Sequence, residues 1–211
     1  MNNILLLVGS PRRKQSTSNC LGSYLLNQFN KDGFNTNKIF INPIKAEVKL
    51  VDEINKSDLV IVTFPLYVDC LPAPVIRTFT EILNNKEVEK NKKIFAISNC
   101  GFPEAKHNLI ALKMMKEFSK QIGWQWLGGL AVGMGAAVNE NSLINKSRIV
   151  KDVIKKLDYI YINLKEDNNM DLIEVQPSIP KWLYIFMGNM GWRYQAFKNG
   201  EWNSLSDKPY K

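Results

Sequence analysis

Histidine and paired cysteines are scarce in this chain. Its 211 residues contain one histidine, His107, and three widely spaced cysteines, Cys20, Cys70 and Cys100, with no C-x-x-C pair. A single histidine speaks against a catalytic triad and against a multi-histidine metal centre. The cysteine spacing supports neither a zinc ribbon nor a dithiol redox motif. We therefore expect no bound metal ion.

Long apolar runs are also missing. No run approaches the roughly 20 apolar residues that a bilayer-spanning helix needs. The N-terminus leads directly into an apolar segment with no basic region before it, so we expect no signal peptide. An odd number of cysteines in such a chain indicates reduced thiols and a cytoplasmic protein.

Two common nucleotide-binding motifs do not occur. The sequence has no G-x-x-x-x-G-K-[ST], which excludes a standard NTPase loop, and no G-x-G-x-x-G, which speaks against a Rossmann pyrophosphate site. The net charge of +8 raises the question of nucleic acid. However, the basic excess lies at the two ends of the chain, in residues 1–35 and 176–211, and no nucleic-acid-binding motif accompanies it. Nucleic-acid binding is therefore the function that the sequence supports least.

Apolar runs alternate with amphipathic segments along most of the chain. This alternation predicts an α/β domain over residues 1–168, in which helices cover both faces of a parallel sheet. Right-handed crossovers then make the sheet doubly wound, with five strands in the order 2-1-3-4-5. The predicted strands are Ile4–Val8, Lys38–Ile41, Asp58–Phe64, Lys93–Ser98 and Trp124–Val132. The predicted helices cover residues 18–30, 50–56, 73–83, 105–122 and 142–164.

Strand order also predicts where a ligand binds. In such sheets the crevice lies at the carboxyl ends of the strands, where the strand order reverses. The loops that follow Val8, Phe64 and Ser98 should therefore carry the function.

The first of these loops is rich in hydroxyl and basic side chains. It reads Gly-Ser-Pro-Arg-Arg-Lys-Gln-Ser-Thr-Ser-Asn and runs into the first helix. A helix start offers free main-chain N–H groups and the positive end of the helix dipole, both of which favour phosphate. The loop taken alone is equally compatible with an ordinary helix cap beside a solvated basic turn. The candidate phosphate ligands are Ser10, Arg12, Ser16, Thr17 and Ser18.

The other two loops suit a flat ring. The loop after the third strand is stiffened by three prolines and presents Pro65, Leu66, Tyr67 and Val68, although a packed proline-rich turn would look the same. The loop after the fourth strand offers amide and main-chain groups and a glycine that permits close approach, although it could be a plain βα turn. Its candidate residues are Asn99, Cys100 and Gly101.

At these three loops the sequence resembles the flavodoxin-like NAD(P)H-dependent FMN reductases and quinone reductases. The G-S-P-R and S-T-S segments are similar to that family's FMN phosphate loop, and Pro65-Leu66-Tyr67 is similar to its loop beside the flavin ring. The resemblance covers roughly residues 3–165 and implies a flavoprotein with FMN as cofactor and NAD(P)H as co-substrate. It implies an oxidoreductase in which hydride passes through flavin N5 to a small acceptor such as a quinone, a nitro compound or a flavin.

The implied chemistry resides in the flavin, so no protein side chain is assigned as catalytic. Cys100 then reads as a small hydrophobic residue in a tight turn. A flavodoxin-type electron carrier, which binds FMN without oxidising NAD(P)H, is the alternative. Such carriers usually have strong negative charge, so the net charge of +8 argues against it.

Residues 169–211 form an aromatic-rich extension that a minimal domain of this kind does not need. Trp182, Leu183, Phe186, Met187 and Met190 could share one helical stripe. The extension could pack on its own domain or on a partner subunit, close over the flavin, or lie on an anionic membrane. An exposed aromatic patch of this size favours burial or association, and we predict a homodimer.

Overall fold

The computed structural model describes residues 1–41 and 48–207. Six parallel strands form one sheet in the order β2-β1-β3-β4-β5-β6. The strands are β1 (Asn3–Val8), β2 (Asn35–Phe40), β3 (Leu59–Pro65), β4 (Lys93–Asn99), β5 (Gln125–Val132) and β6 (Leu172–Val175). The helices are α1 (Thr17–Lys31), α2 (Val48–Lys56), α3 (Ala73–Asn84), α4 (Leu109–Ile122), α5 (Glu140–Ile144), α6 (Lys151–Lys165) and α7 (Lys181–Lys198).

The predicted parallel sheet is confirmed, but the prediction of five strands is wrong. The sixth strand, β6, pairs with β5 through a register that joins Gly129 to Leu172 and Val132 to Val175. It is only four residues long and follows a polar segment, so the sequence shows no apolar run that would mark it.

The predicted helix over residues 142–164 is also interrupted. It is divided into α5, a 3-10 turn at Arg148–Val150, and α6. Lys146 lies between them with φ of 47°, in the left-handed region that ends a helix. Nothing in the Asn-Lys-Ser sequence there breaks the 3.6-residue apolar pattern, so the sequence does not indicate the interruption of the helix.

Both faces of the sheet are buried. In β1, Ile4, Leu6 and Val8 join the apolar cluster beneath α1 and α6, whereas Leu5 and Leu7 join the cluster beneath α2, α3 and α4. This alternation follows from the two-residue repeat of a strand. Full burial of each such side chain stabilises the fold by roughly 1.5–3 kcal/mol. The continuous apolar strands are therefore what fixes the sheet, and with it the loops at its carboxyl edge.

The chain divides into two compact units, Met1–Ser178 and Ile179–Lys211. This division falls later than the predicted boundary at residue 168, because β6 belongs to the first unit. The second unit contains α7, which includes the residues that could share a helical stripe, followed by a 3-10 turn at Asn203–Ser206. Residues 208–211 of the predicted extension lie outside the described residues. Within the described ranges, no helix combines the length and the apolar composition that a membrane crossing requires.

Candidate functional site

A cleft of about 260 Å³ lies at the carboxyl edge of the sheet. It is formed by the loops that follow β1, β3 and β4, which are the three loops that the strand order indicates, and by the loop after β5, which was not among them. The predicted site residues all line this cleft, with the exception of Val68. The lining consists of Ser10, Arg12, Gln15, Ser16, Thr17, Ser18, Pro65, Leu66, Tyr67, Asn99, Cys100, Gly101, Gly135 and Ala136.

The first loop turns into α1 through a capped helix start. A 3-10 turn at Arg13–Gln15 leads to Ser16, the N-cap residue, whose Oγ accepts a hydrogen bond of 3.1 Å from Asn19 N–H. The same hydroxyl donates to the Arg13 carbonyl at 2.6 Å. Ser16 is thus a structural cap, as such a residue at this position usually is.

The hydroxyls of the next two residues are also engaged with the protein. Thr17 Oγ1 lies 2.9 Å from the carbonyl oxygen of Gly135 and 3.1 Å from that of Val138, and so ties α1 to the loop after β5. Ser18 Oγ donates to Asn99 Oδ1 at 2.7 Å. These two side chains therefore hold the loops together, while their main-chain N–H groups occupy the first two positions of α1, which have no acceptor within a helix.

Three cleft-lining side chains of the first loop remain available to a ligand: Ser10, Arg12 and Gln15. Among the described residues, none is hydrogen-bonded to the Ser10 hydroxyl, the Arg12 guanidinium or the Gln15 side-chain amide. Ser10 is nearly buried, at 4% exposure, and Arg12 is exposed. Together with the main-chain N–H groups of Thr17 and Ser18, they form a group of hydrogen-bond donors with one positive charge.

The loop after β3 is held by its backbone. Leu66 N–H donates to the Asn99 carbonyl at 2.8 Å, and Tyr67 and Cys70 exchange two main-chain hydrogen bonds of 3.0 Å. The two residues between them, Val68 and Asp69, have φ of 50° and 55°, as in a type I′ turn. This turn carries Val68 away from the cleft, where it is 99% exposed. The sequence does not signal the turn because neither central residue is glycine or asparagine.

The loop after β4 lines the cleft beside the loop after β3. Cys100 is buried, and burial raises the pKa of its thiol, so the protonated form is favoured at neutral pH. Apart from Gly101 and its two chain neighbours, no atom of the described residues lies within 4 Å of the position that a Cβ on Gly101 would take. Protein packing therefore does not require glycine at 101, and the space beside it is open to a ligand.

Comparisons with solved structures identify the type of fold. No protein-family model and no curated protein matches the chain. A solved structure of RosB with a bound 8-demethyl-8-formylriboflavin-5'-phosphate intermediate superposes with a TM-score of 0.60 and 11% identity, covering 99% of this chain and 89% of that one. An FMN-dependent NADH-azoreductase from Bacillus anthracis, in complex with FMN, has a TM-score of 0.58 and 10% identity, covering 78% of this chain and 99% of that one. A protein from P. pentosaceus described as an NADPH-quinone reductase has a TM-score of 0.53 and 13% identity, covering 78% of this chain and 97% of that one.

The fold is flavodoxin-like. Three residues that line the cleft were not predicted from the sequence: Gln15, Gly135 and Ala136. A Cβ on Gly135 would lie 2.9 Å from the Cys100 carbonyl oxygen, so only glycine lets the loop after β5 approach the loop after β4. The Gly/Ala-rich stretch after the fifth predicted strand was the signal that could have found Gly135 and Ala136.

The electrostatics of the flavodoxin-like cleft are simple. Among its lining residues Arg12 is the one with a formal charge, and there is no carboxylate or imidazole. His107 and Glu104 lie 3.9 Å apart outside this lining, where the His107 ring contacts the Phe102 ring at a centroid distance of 4.6 Å. The cleft is thus equipped to bind an anionic, partly apolar molecule and lacks a pair of groups for acid–base catalysis.

A second hollow, of about 250 Å³, lies at the opposite edge of the sheet, beside the start of β1 and β2. Its polar groups are bonded to one another: Asn35 Nδ2 donates to Asn3 Oδ1, Asn37 donates to Glu53, and Glu53 pairs with Lys56 at 3.2 Å. This hollow offers few unengaged donors, so the cleft at the carboxyl edge is the candidate site.

Proposed function

We propose that the protein is an FMN-dependent oxidoreductase that passes hydride from NAD(P)H to a small acceptor such as a quinone, a nitro compound or a flavin. The observation that carries the proposal is the composition of one cleft. Donors and a single positive charge lie at the start of α1, and the loops after the neighbouring strands β3 and β4 line the same cleft with apolar, aromatic and amide groups suited to a flat ring. The flavodoxin-like fold supports it.

The phosphate of FMN would be held at the start of α1. The available donors there are the Ser10 hydroxyl, the Arg12 guanidinium, the Gln15 amide and the main-chain N–H groups of Thr17 and Ser18. A helix N-terminus favours an anion through both these N–H groups and its dipole. The Ser16, Thr17 and Ser18 hydroxyls contribute indirectly, because their hydrogen bonds hold the donors in place.

The flavin ring would lie between the second and third loops. Pro65, Leu66 and Tyr67 offer an apolar and aromatic side, and Tyr67 is 45% exposed. Asn99, Cys100 and the open space beside Gly101 form the other side. Polar main-chain and amide atoms on that side suit the heteroatoms of the ring edge.

Bound FMN would supply the redox chemistry, taking hydride from NAD(P)H at flavin N5 and delivering it to the acceptor. The protein's part is to bind the flavin, to orient the flavin and its substrates, and to exclude water from the cleft. A cleft without carboxylate or imidazole among its lining residues is sufficient for that role, because flavin hydride transfer needs no protein acid–base pair.

The electron-carrier alternative is less well supported. A carrier of this fold docks on basic partners through a negative surface, whereas this chain has a net charge of +8.

The three free cysteines suit a reducing compartment, which supports the cytoplasm as the location of the protein.

We further propose that the protein is a homodimer. Five aromatic side chains of α7 are more than half exposed: Trp182, Phe186, Trp192, Tyr194 and Phe197. Aromatic side chains are enriched at protein–protein interfaces, and an exposed cluster of them favours association.

The experiment that tests the function is reconstitution followed by turnover. Apoprotein incubated with FMN and desalted should be yellow, and should oxidise NADH or NADPH when a quinone or a nitro compound is added. A protein that takes up no FMN would overturn the proposal. FMN uptake without NAD(P)H oxidation would show the electron carrier instead.

A further inference from the structure

Asn108 is fully buried behind the third loop of the cleft, and the proposed function does not use it. It lies at the end of the 3-10 turn Ala105–Asn108, immediately before α4. It does not line the cleft, and nothing in the sequence around it distinguishes it from an ordinary helix cap.

Asn108 occupies the N-cap position of α4 without capping the helix. Asparagine at an N-cap usually accepts a hydrogen bond from an N–H group of the first turn, but the Asn108 side chain makes no such bond. The preceding 3-10 turn takes over this role in part, because Leu109 N–H donates to the Lys106 carbonyl. The amide of Asn108 is thereby released for other partners.

Those partners come from four segments that meet behind the cleft. Asn108 Oδ1 accepts a hydrogen bond of 2.8 Å from Ser98 Oγ, at the end of β4. Its Nδ2 lies 3.0 Å from the Ala105 carbonyl oxygen, 3.2 Å from that of Val132 at the end of β5, and 3.2 Å from Cys100 Sγ. One side chain thus joins the ends of two strands, the 3-10 turn and the third loop.

The third loop is attached to this network at Cys100. Cys100 N–H donates to the Val132 carbonyl at 3.0 Å, the same oxygen that Asn108 contacts, and Cys100 Sγ faces the carbonyl oxygens of Phe102 at 3.8 Å and Glu104 at 3.7 Å. The thiol is therefore placed to accept a hydrogen bond from Asn108 Nδ2 and to donate one to a main-chain carbonyl oxygen. Buried polar groups cost free energy unless they are bonded, so such a network fixes one arrangement of the loop.

We propose that Asn108 is the positioning residue that fixes residues 99–101 as the ring-side wall of the cleft. The proposal rests on the proposed function for the identity of the ring, which is that of FMN. It predicts that loss of the Asn108 amide loosens the loop and weakens the binding of the flavin ring, so that FMN and riboflavin are affected alike.

The first test needs no flavin. In the apoprotein, Asn108→Ala should raise the rate at which iodoacetamide labels Cys100, about tenfold relative to Cys20 and Cys70 as measured by mass spectrometry, because the loop opens more often. Ser119→Ala is the control, since Ser119 is buried on the same helix and its Oγ donates to the Lys116 carbonyl, away from the cleft. If the Ala variant does not fold, Asn108→Ser retains a polar group and serves in its place. An unchanged relative rate at Cys100 overturns the proposal.

The second test separates the ring from the phosphate. Asn108→Ala should raise the dissociation constants of FMN and of riboflavin by the same factor, about tenfold, which is the value of one lost buried hydrogen bond. It should also shift the flavin absorption bands, which Ser119→Ala should leave in place. A rise in the dissociation constant of FMN with no change in that of riboflavin would overturn the proposal. A wild-type protein that binds neither flavin would overturn the proposed function, and the labelling rates would then decide on Asn108.

Discussion

Ser18 Oγ donates a hydrogen bond of 2.7 Å to Asn99 Oδ1, and both side chains are buried. The bond joins the first turn of α1 to the end of β4. It therefore connects the proposed phosphate end of the cleft to its ring-side wall through one contact.

Ser18→Ala tests this link. The substitution leaves Asn99 Oδ1 without its donor in a buried position, so we expect a loss of about 1–3 kcal/mol in the free energy of unfolding. Urea denaturation of the apoprotein measures it. Ser178→Ala is the control, because Ser178 Oγ donates to Asp152 Oδ2 at 2.6 Å on the exposed surface, where the same change should cost within about 0.5 kcal/mol. Equal losses in the two variants would contradict the role of the Ser18–Asn99 bond.

Arg12→Gln tests the phosphate end. A guanidinium that bonds a phosphate contributes more than a neutral donor, so the dissociation constant of FMN should rise about tenfold or more. That of riboflavin, which lacks the phosphate, should stay unchanged in the same titration of flavin fluorescence. Arg13→Gln removes the same charge from a neighbour that does not line the cleft and provides the control. An equal effect on riboflavin would show that Arg12 does not contact the phosphate.

Gly101→Ala and Gly135→Ala should have different effects. Beyond its chain neighbours, a Cβ at 101 meets no atom of the described residues within 4 Å, so the apoprotein should retain its melting temperature while its affinity for FMN falls. A Cβ at 135 would lie 2.9 Å from the Cys100 carbonyl oxygen, so that variant should lose about 1–3 kcal/mol of stability even without flavin. Thermal unfolding and flavin titration of both variants provide the comparison. Unchanged FMN affinity in Gly101→Ala would place the ring elsewhere.

The sequence predicts the sheet and the three loops because these depend on local patterns. Apolar runs such as Asp58–Phe64, most of which forms β3, identify buried strands, and the parallel order then brings distant loops to one edge. The non-local bonds could not be predicted. Thr17 joins Gly135 across 118 positions, and Asn108 reads as a helix cap until the structure shows its four partners. The short strand β6 is missed for the same reason, since pairing with β5 and not its own sequence makes it a strand.

Asp58 provides a pH-dependent prediction away from the cleft. Asn2 N–H and Asn3 N–H donate to its Oδ2 at 2.6 and 3.0 Å, which fixes the start of β1, and the first of these bonds is the main cause that holds its pKa below the ordinary value of 3.8. Because the pKa is lower in the folded state, the stabilisation is present above pH 3.8 and disappears as the pH falls through the folded-state value.

Asp58→Asn should therefore destabilise the protein by about 1–2 kcal/mol at pH 7, and the difference from wild type should shrink below pH 4. Urea denaturation at several pH values gives both quantities. Asp171→Asn makes the same charge change at an exposed position and should show little effect at any pH. A difference that stays constant down to pH 3 would mean that the carboxylate charge is not what stabilises the start of β1.

Sedimentation velocity tests the proposed homodimer through α7. Trp182→Gln combined with Phe186→Gln removes two large exposed apolar side chains one helical turn apart, and glutamine preserves helix propensity. We expect the wild type to sediment as a dimer at micromolar concentration and the double variant to shift to monomer, because hydrophobic burial drives such interfaces. Tyr159→Gln combined with Ile162→Gln removes two exposed apolar side chains from α6 and should leave the dimer intact. A monomeric wild type would contradict the homodimer, and a dimer that survives the α7 variant would place its interface elsewhere on the protein.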